Sequence, residues 1–400
     1  MSSVPHVPAP PPLPASAVKV EFSGKRGDFF RLVRNGTGLE LITFGFYRFW
    51  LATDIRRHLW SNTDIGDDAA EYTGNGKELL LGFLFALAIL VPIYVVYFLI
   101  GLEAERAKAF ASFPLFLFFY LFGQFAIYRA RRYRLTRTVW RGVRFWMSGS
   151  GWAYAARSVL WGIAMILTIG LLLPWREAAL ERYKMRHSYY GDLEGSFAGT
   201  GWDFFKRGWW LWLLGFLALI LVVWALAKKV PAASLLPFLL MLAVPFLYGA
   251  FKAVEWRWWL SGIRFGDVRL ESALSRTALM GLYWKVIGWF LLLTVSFSGY
   301  TFACLTLIAA MKQVPMAKLI VPGSLQANIP VIVPLAIGYL ALILAMNVVM
   351  RMYLLRDVWA RVVSSTTVHN IEAAANVTAM GEPANALGEG FADGLDVAGF

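Results

Sequence analysis

Long apolar stretches alternate with polar, arginine-rich stretches along the 400-residue chain. Six of the apolar runs are long enough, or nearly so, to cross a hydrocarbon core of roughly 30 Å as helices. These runs lie at 79–100, 113–128, 208–227, 233–251, 286–311 and 330–350. A seventh run, at 158–173, is short. The pattern predicts a membrane protein with several helical crossings.

Charge placement decides how the short run is interpreted. Loops rich in Lys and Arg stay on the cytoplasmic side whatever their acidic content. The stretches on both sides of 158–173, at 129–157 and 175–207, are strongly basic. A full crossing at 158–173 would place one of them outside, so we predict that this segment is re-entrant or interfacial. Six crossings in three hairpins then remain, with both termini cytoplasmic. The alternative is seven crossings, which violates the charge rule once.

Parts of the sequence match one another, which predicts internal repeats. Residues 41–76 overlay residues 166–201 without gaps at an offset of 125. A second match, at an offset of 120, places Tyr128 on Tyr248. A weaker third copy of the first unit lies near 355–367. The identities fall mainly on Gly, Trp and Arg.

The predicted fold class is an all-α polytopic integral membrane protein with re-entrant or interfacial segments and short cytosolic β-hairpin elements. The hairpins are expected at Gly66-Asp67 and Gly191-Asp192, where turn residues are flanked by strand-like residues. We divide the chain into five parts, beginning with a disordered proline-rich leader at 1–17 and ending with a disordered tail at 372–400. A first repeat half at 18–157 contains helices 79–100 and 113–128, and a second repeat half at 158–285 contains the re-entrant segment 158–173 and helices 208–227 and 233–251. A final helical hairpin at 286–371 contains helices 286–311 and 330–350 and a partial repeat.

Composition and charge favour a lipid environment. Hydrophobic residues make up 58% of the chain and aromatic residues 16%, which is more than one or two soluble cores can hide. The formal net charge of +13 could indicate nucleic acid, but the cations lie beside apolar spans, where anionic headgroups attract them. We therefore expect membrane lipids with anionic headgroups as partners, and no nucleic acid. The oligomeric state stays open.

No catalytic, cofactor or metal signature is recognisable in the sequence. His6, His58, His187 and His369 are scattered, with no pair at ligand spacing. The single cysteine, Cys304, lies within an apolar run. No nucleophile with a partner base can be named, so an enzyme is disfavoured and no cofactor is expected.

Two glycine pairs, 125 residues apart, each open an apolar segment and are followed by cations. Backbone N–H groups and the dipole at a helix N-terminus attract anions, so these segments are candidate sites for a lipid phosphate. The alternative is that the glycines only provide a tight chain entry and that an acidic residue caps the helix. Three arginines of the basic stretch could add headgroup contacts, although plain electrostatic anchoring explains them as well. The candidate headgroup-contact residues are Gly74, Gly76, Lys77, Gly199, Gly201, Arg131, Arg132 and Arg134.

Four segments carry a resemblance to a known family, namely Leu41–Trp50, Glu71–Glu78, Arg137–Phe145 and Glu181–Asp192. They resemble the bacterial YjgN-type family, and the likeness covers about 20–365. The resemblance implies a multi-pass protein of the bacterial inner membrane. It also implies a family without an established function, so no catalytic or binding roles can be carried over.

Two classes of function remain open from the sequence. Transport or lipid handling is favoured by the duplicated units and the re-entrant segment, because such segments require protein or water around them. A non-transporting membrane scaffold is favoured by the scarcity of ionisable residues within the spans.

Overall fold

The computed structural model describes residues 17–106, 112–228, 236–319, 325–382 and 393. Ten short strands within these residues close into an antiparallel barrel. The strands are β1 Ala17–Phe22, β2 Thr63–Ile65, β3 Asp68–Tyr72, β4 Thr138–Trp140, β5 Val143–Met147, β6 Ser188–Tyr190, β7 Leu193–Phe197, β8 Ile263–Phe265, β9 Val268–Ser272 and β10 Thr366–His369.

Strands that follow one another in sequence are neighbours in the barrel, and pairing of β1 with β10 closes the ring. Ala17 lies opposite His369 in this closing pair. Tight turns join β2 to β3, β4 to β5, β6 to β7 and β8 to β9, and each contains a glycine with positive φ. These glycines are Gly66, Gly142, Gly191 and Gly266. Because neighbouring strands run in opposite directions, all four turns lie at one end of the barrel, which we call the turn rim.

The chain between successive strand hairpins forms helices that leave and re-enter the barrel at the opposite end, which we call the helix rim. The helices are α1 Arg26–Ile42, α2 Arg48–Ser61, α3 Gly76–Arg106, α4 Ser112–Thr136, α5 Gly151–Leu167, α6 Leu173–Arg186, α7 Gly201–Ala227, α8 Leu236–Gly262, α9 Met280–Lys312, α10 Met316–Leu319, α11 Leu325–Met350 and α12 Val358–Ser364. A π-helical segment, Arg351–Asp357, joins α11 to α12. The pairs α1/α2 and α5/α6 are short hairpins, whereas α3, α4, α7, α8, α9 and α11 are long.

The interior of the barrel is filled by apolar and aromatic side chains. Alternate residues of each strand point inward, and a 3₁₀ turn after β10 adds two more side chains. The buried members are Val20, Trp140, Tyr190, Val268, Val368, Ile371 and Ala374. The Tyr190 hydroxyl donates a hydrogen bond to the Trp140 carbonyl at 3.0 Å, and burial raises the pKa of Tyr190 to about 12. The barrel is therefore a packed core.

The prediction of an all-α protein with six crossings is wrong. Short strands form a closed barrel, and four helices in the described part of the chain are long and apolar enough to cross a membrane. These four are Gly76–Gly101, Gly201–Ala225, Met280–Lys312 and Ile329–Ser364. The hairpins expected at the two Gly-Asp turns are present as β2/β3 and β6/β7. On both outer edges, each hairpin pairs with strands from other parts of the chain. The sequence does not reveal this pairing because strands of three to six residues carry little alternation of their own.

The segment 158–173 contains the second part of α5 and the turn that leads into α6. The chain runs outward along α5, reverses at Thr168–Gly170 and returns to the helix rim along α6, and the predicted relation of this segment to a membrane stays a prediction. The short hairpin α1/α2 reverses in the same way at Thr43–Gly45.

The two predicted disordered ends are described only in part. Residues 1–16 of the leader lie outside the described residues. Residues 372–382 fall within the predicted disordered tail, and the structure places them against the barrel. There the Thr378 amide donates to an Asp192 carboxylate oxygen at 3.1 Å, and Gly381 packs on the Trp146 ring. Apart from Asp393, the rest of the tail lies outside the described residues.

Candidate functional site

Both predicted glycine pairs lie at the helix rim, where β3 leads into α3 and β7 leads into α7. None of the four glycines has positive φ. Gly76 instead packs against Trp50, and a Cβ placed on Gly76 would lie 2.8 Å from the Trp50 Cα. Gly201 packs in the same way against Trp175, at 2.7 Å. Glycine is therefore required because two helices touch here, and left-handed backbone is not the reason.

The first glycine of each pair lies under an aromatic ring. A Cβ on Gly74 would meet the Tyr72 ring at 2.7 Å, and one on Gly199 would meet the Phe197 ring at 2.6 Å. The Arg57 guanidinium donates to the Gly74 carbonyl at 2.8 Å, which ties α2 to the start of α3. These glycines thus shape the entry of each long helix.

Side chains of the protein already cap the two helix starts. Asn75 accepts a hydrogen bond from the Glu78 amide at 3.0 Å, and Thr200 accepts one from the Asp203 amide at the same distance. The capping residues are Asn75 and Thr200, and each acidic side chain pairs with its own cap. A carboxylate consequently stands near each helix start, so a headgroup would have to rely on cationic side chains.

The first helix start carries an open groove between α2 and α3. Its volume is about 370 Å³, and its lining residues are Trp50, Thr53, Asp54, Arg57, Asn75, Gly76 and Lys77. Lys77 and Arg57 are exposed, and Arg57 lies 3.6 Å from Asp54. Burial raises the pKa of the Asp54 carboxyl, although Arg57 opposes this shift. With both cations and Asp54 charged, these three side chains leave one net positive charge in the groove.

The second helix start differs in its side chains. Trp202 stands where the first has Lys77, and Ala179 stands where the first has Asp54. The Trp202 ring stacks on Phe205 at 5.6 Å and lies 6.3 Å from Trp175. An aromatic cluster therefore lies beside this helix start, and the two aligned positions are not chemically equivalent.

The three arginines proposed for headgroup contact lie near the barrel end of α4. Arg131 pairs with Glu181 of α6 at 3.2 Å, and Arg134 pairs with Asp393 at 3.5 Å. Arg132 is half-buried at the same helix end. Burial would raise the pKa of Glu181, but Lys184 and Arg131 lower it more, so the carboxylate stays charged. Two of the three arginines therefore bind acids of the protein itself, which come from distant parts of the chain.

A buried charged cluster that the sequence did not reveal lies beside this end of α4. Arg56 of α2 donates to the Tyr72 hydroxyl at 3.1 Å and to Asp393 at 3.1 Å. The side chains of Arg56 and Asp393 are each 3% exposed. Burial lowers the pKa of Arg56, but Asp393 and Tyr72 raise it more, so Arg56 stays charged. Asp393 lies 337 residues away in the sequence, within a segment whose composition indicates disorder, so no local pattern predicts the contact.

In the described part of the chain, no three His, Cys, Asp or Glu side chains lie close enough together to hold a metal ion.

Comparison with known proteins identifies a family. No curated protein and no solved structure matches this chain. The family described as bacterial protein of unknown function (DUF898) matches residues 17–394. The match confirms the resemblance to the YjgN-type family, and the chain therefore belongs to this family.

Proposed function

We propose that this protein handles lipid at the cytoplasmic surface of the bacterial inner membrane, and that the groove between α2 and α3 holds an anionic headgroup. The carrying observation is the groove itself, where Lys77 and Arg57 stand beside Trp50 at the point where a membrane-length helix begins. Cations attract the phosphate and a tryptophan ring suits the headgroup level of a bilayer. Gly74 and Gly76 shape this groove without contributing charge.

The orientation rests on the helix rim. Every long helix leaves the barrel from that rim, and the arginine-rich end of α4 lies there too. Basic segments next to spans favour the cytoplasmic side. The β1 and β10 ends that pair at Ala17 and His369 lie at the opposite rim, which supports cytoplasmic positions for both termini.

Lipid handling is preferred here over transport because of how the spans pack. The barrel interior is filled, and few side chains of the four membrane-length helices are buried. An enclosed path would require side chains that face an interior, whereas these helices present most of their surface outward. The same outward surfaces favour the second candidate function, a membrane scaffold that binds other proteins.

The test exchanges the residues that distinguish the two helix starts. The protein is purified in nanodiscs that contain phosphatidylglycerol and phosphatidylethanolamine, and retained lipid is counted by native mass spectrometry. Lys77→Trp should lower retained phosphatidylglycerol several-fold, because it removes a cation and fills the groove. Trp202→Lys should raise it. Lys19→Gln, an exposed lysine of β1, is the charge-matched control and should change nothing. Equal retention by Lys77→Trp and Lys19→Gln would refute the proposal.

A further inference from the structure

We infer that the apices of the two short hairpins, α1/α2 and α5/α6, enter the acyl-chain region of the leaflet that faces the barrel and end within it. The protein would then carry two one-leaflet wedges in addition to its membrane-length helices. This inference is independent of the headgroup groove.

The two apices have the same backbone geometry. Phe44 and Gly45 have φ of 51° and 87°, and Ile169 and Gly170 have φ of 51° and 81°. In both turns a threonine at the preceding position donates its hydroxyl to the carbonyl four residues earlier, at 2.7 and 2.8 Å. Large side chains with positive φ are strained, and a β-branched residue there is a genuine outlier. Glycine or asparagine would form such a turn at lower cost, yet both apices hold a large apolar side chain.

Most of the surface of both apical side chains is exposed. Phe44 is 94% exposed and Ile169 is 72% exposed. Further exposed apolar side chains surround them, namely Ile42, Phe46, Ile166, Leu167 and Leu171. Clustered apolar surface of this kind is favoured where water is excluded and marks sites of contact with an apolar partner or medium. Because these apolar side chains lie at the projecting tip of each hairpin, they require an apolar medium that can surround the tip.

Contacts with the long helices fix the level of the first apex. Trp50, two residues into α2, touches Gly76 at the start of α3. Phe49 packs on Phe83 at 5.2 Å, one to two turns into the apolar run of α3. The apex lies beyond these contacts, so it stands beside the apolar part of a membrane-length helix.

The length of α5 fixes the depth of the second apex. Arg157 is the last charged residue of α5, and the turn at Thr168 follows eleven residues later, about 16 Å along a helix. Half of a bilayer core of roughly 30 Å is about the same length. Gln124 of α4 accepts a hydrogen bond from Ser158 at 2.8 Å, which fastens the base of this hairpin to a neighbouring helix. The hairpin is therefore long enough to reach into one leaflet and too short to cross both.

Lipid is the occupant that these observations favour. Both apices leave the helix rim together with the membrane-length helices. Two charged side chains flank the first tip. Glu40, before the tip, pairs with Arg351 at 2.8 Å, and the Arg48 guanidinium, after the tip, lies over the apolar Phe83 ring of α3 at 4.5 Å from its centroid. A second copy of the chain or another protein would need a complementary surface at both apices, whereas acyl chains require none.

Depth-dependent fluorescence quenching tests the inference. Single cysteines replace Phe44 or Ile169 in a Cys304→Ala background, and each is labelled with a small environment-sensitive fluorophore in nanodiscs of defined lipid. The lipids carry a nitroxide quencher at the headgroup, midway along the acyl chain or at its end. Asp67→Cys, exposed at the turn rim, is the control position.

We expect the mid-chain nitroxide to quench both apical labels at least several-fold more than the Asp67 label, and aqueous iodide to quench only the Asp67 label. Iodide quenching of the apical labels would overturn the inference, since the tips would then be in water. Strongest quenching by the chain-end nitroxide, with labelling from the far side, would overturn it by showing deeper crossing. Insensitivity to both quenchers would mean that protein covers the tips, and also overturns it. Phe46→Cys at the first tip and Leu171→Cys at the second tip are the substitutes if Phe44→Cys fails to fold, and we expect the same quenching results from them.

Discussion

At the scale of single residues, arginines of the basic stretch pair with acids that are far away in sequence. Arg137, at the helix rim, binds Glu78 at 2.8 Å, and Arg141, in a turn at the turn rim, binds Asp68 at 2.6 Å. In the sequence, the arginine-rich stretch resembles an unpaired basic surface because it contains no Asp or Glu. In the fold, the acidic side chains that pair with it belong to β3, α3, α6 and the tail. In the groove, burial raises the pKa of the Asp54 carboxyl and so weakens its negative charge, which makes Asp54 the natural position to test for pH control.

Retention of anionic lipid should depend on pH through Asp54. Burial raises the pKa of this carboxyl above its ordinary value, so acidification neutralises it earlier than an exposed aspartate. The groove then gains net positive charge as the pH falls through the raised pKa, and retained phosphatidylglycerol should increase. Asp54→Asn should show high retention at every pH, because the negative charge is gone.

The measurement is native mass spectrometry of nanodisc samples equilibrated from neutral to mildly acidic pH. Phosphatidylglycerol is suited to it because its phosphate diester stays ionised over this range. A pH response that persists unchanged in Asp54→Asn would assign the effect to another group.

At the scale of elements, the helices were far more predictable than the strands. The apolar runs at 79–100, 208–227, 286–311 and 330–350 all lie within observed helices, because helix length and apolar content are local properties. The offset of 125 placed Trp50 on Trp175, and these two residues make the same contact with Gly76 and Gly201. The candidate site was predicted only in part. Lys77 and its glycines lie in the groove, but the opposing wall of Trp50, Asp54 and Arg57 comes from a helix whose approach no local pattern encodes.

The helix contacts at Gly76 and Gly201 give a stability prediction. Adding a methyl group places a Cβ 2.7–2.8 Å from the facing backbone Cα atoms, so Gly76→Ala and Gly201→Ala should each destabilise the fold by about 1–3 kcal/mol, the usual cost of overpacking. Gly38→Ala is the matched control, because nothing lies within 4 Å of its added methyl.

In the control, alanine should stabilise α1 by about 0.5–1 kcal/mol through its better helix propensity. Thermal unfolding in a single detergent compares the three variants. Equal thermal unfolding midpoints for Gly76→Ala and Gly38→Ala would show that α2 and α3 can move apart at Gly76 without cost.

At the scale of the whole molecule, one ring of strands gathers helices that are spread over the entire chain. Pairing around the ring joins residues that are up to 100 positions apart in sequence, as His369 and Arg269 are, and the closing pair of β1 and β10 joins residues that are farther apart still. Such long-range pairing cannot be read from a single sequence, since each strand alone is too short to define a register. The buried contact of Asp393 with Arg56 adds a second connection between the two ends of the chain.

Asp393 should therefore matter for global stability. Asp393→Asn leaves Arg56 buried without its carboxylate, and breaking one side of a buried ion pair costs about 3–5 kcal/mol. Glu382→Gln removes an exposed acid of the same tail and should have little effect. Denaturant unfolding followed by tryptophan fluorescence distinguishes them, and similar midpoints for both variants would mean that the tail contact contributes nothing to the folded state.

The pairing of β1 with β10 also bears on how the protein is made. During synthesis β1 is made before the other nine strands, whereas β10, which seals its free edge, is made after them. Until then the growing sheet is an open ribbon with exposed backbone donors and acceptors at both margins. Under the membrane placement proposed above, the membrane-length helices enter the bilayer before the strands that follow them can join the ribbon. We expect β1 and β10 to pair only after α11, the apolar helix that precedes β10, has been inserted. Closure of the ring would then indicate that membrane integration is complete. A chain that stalls earlier would keep an unpaired strand edge, which quality-control factors could recognise.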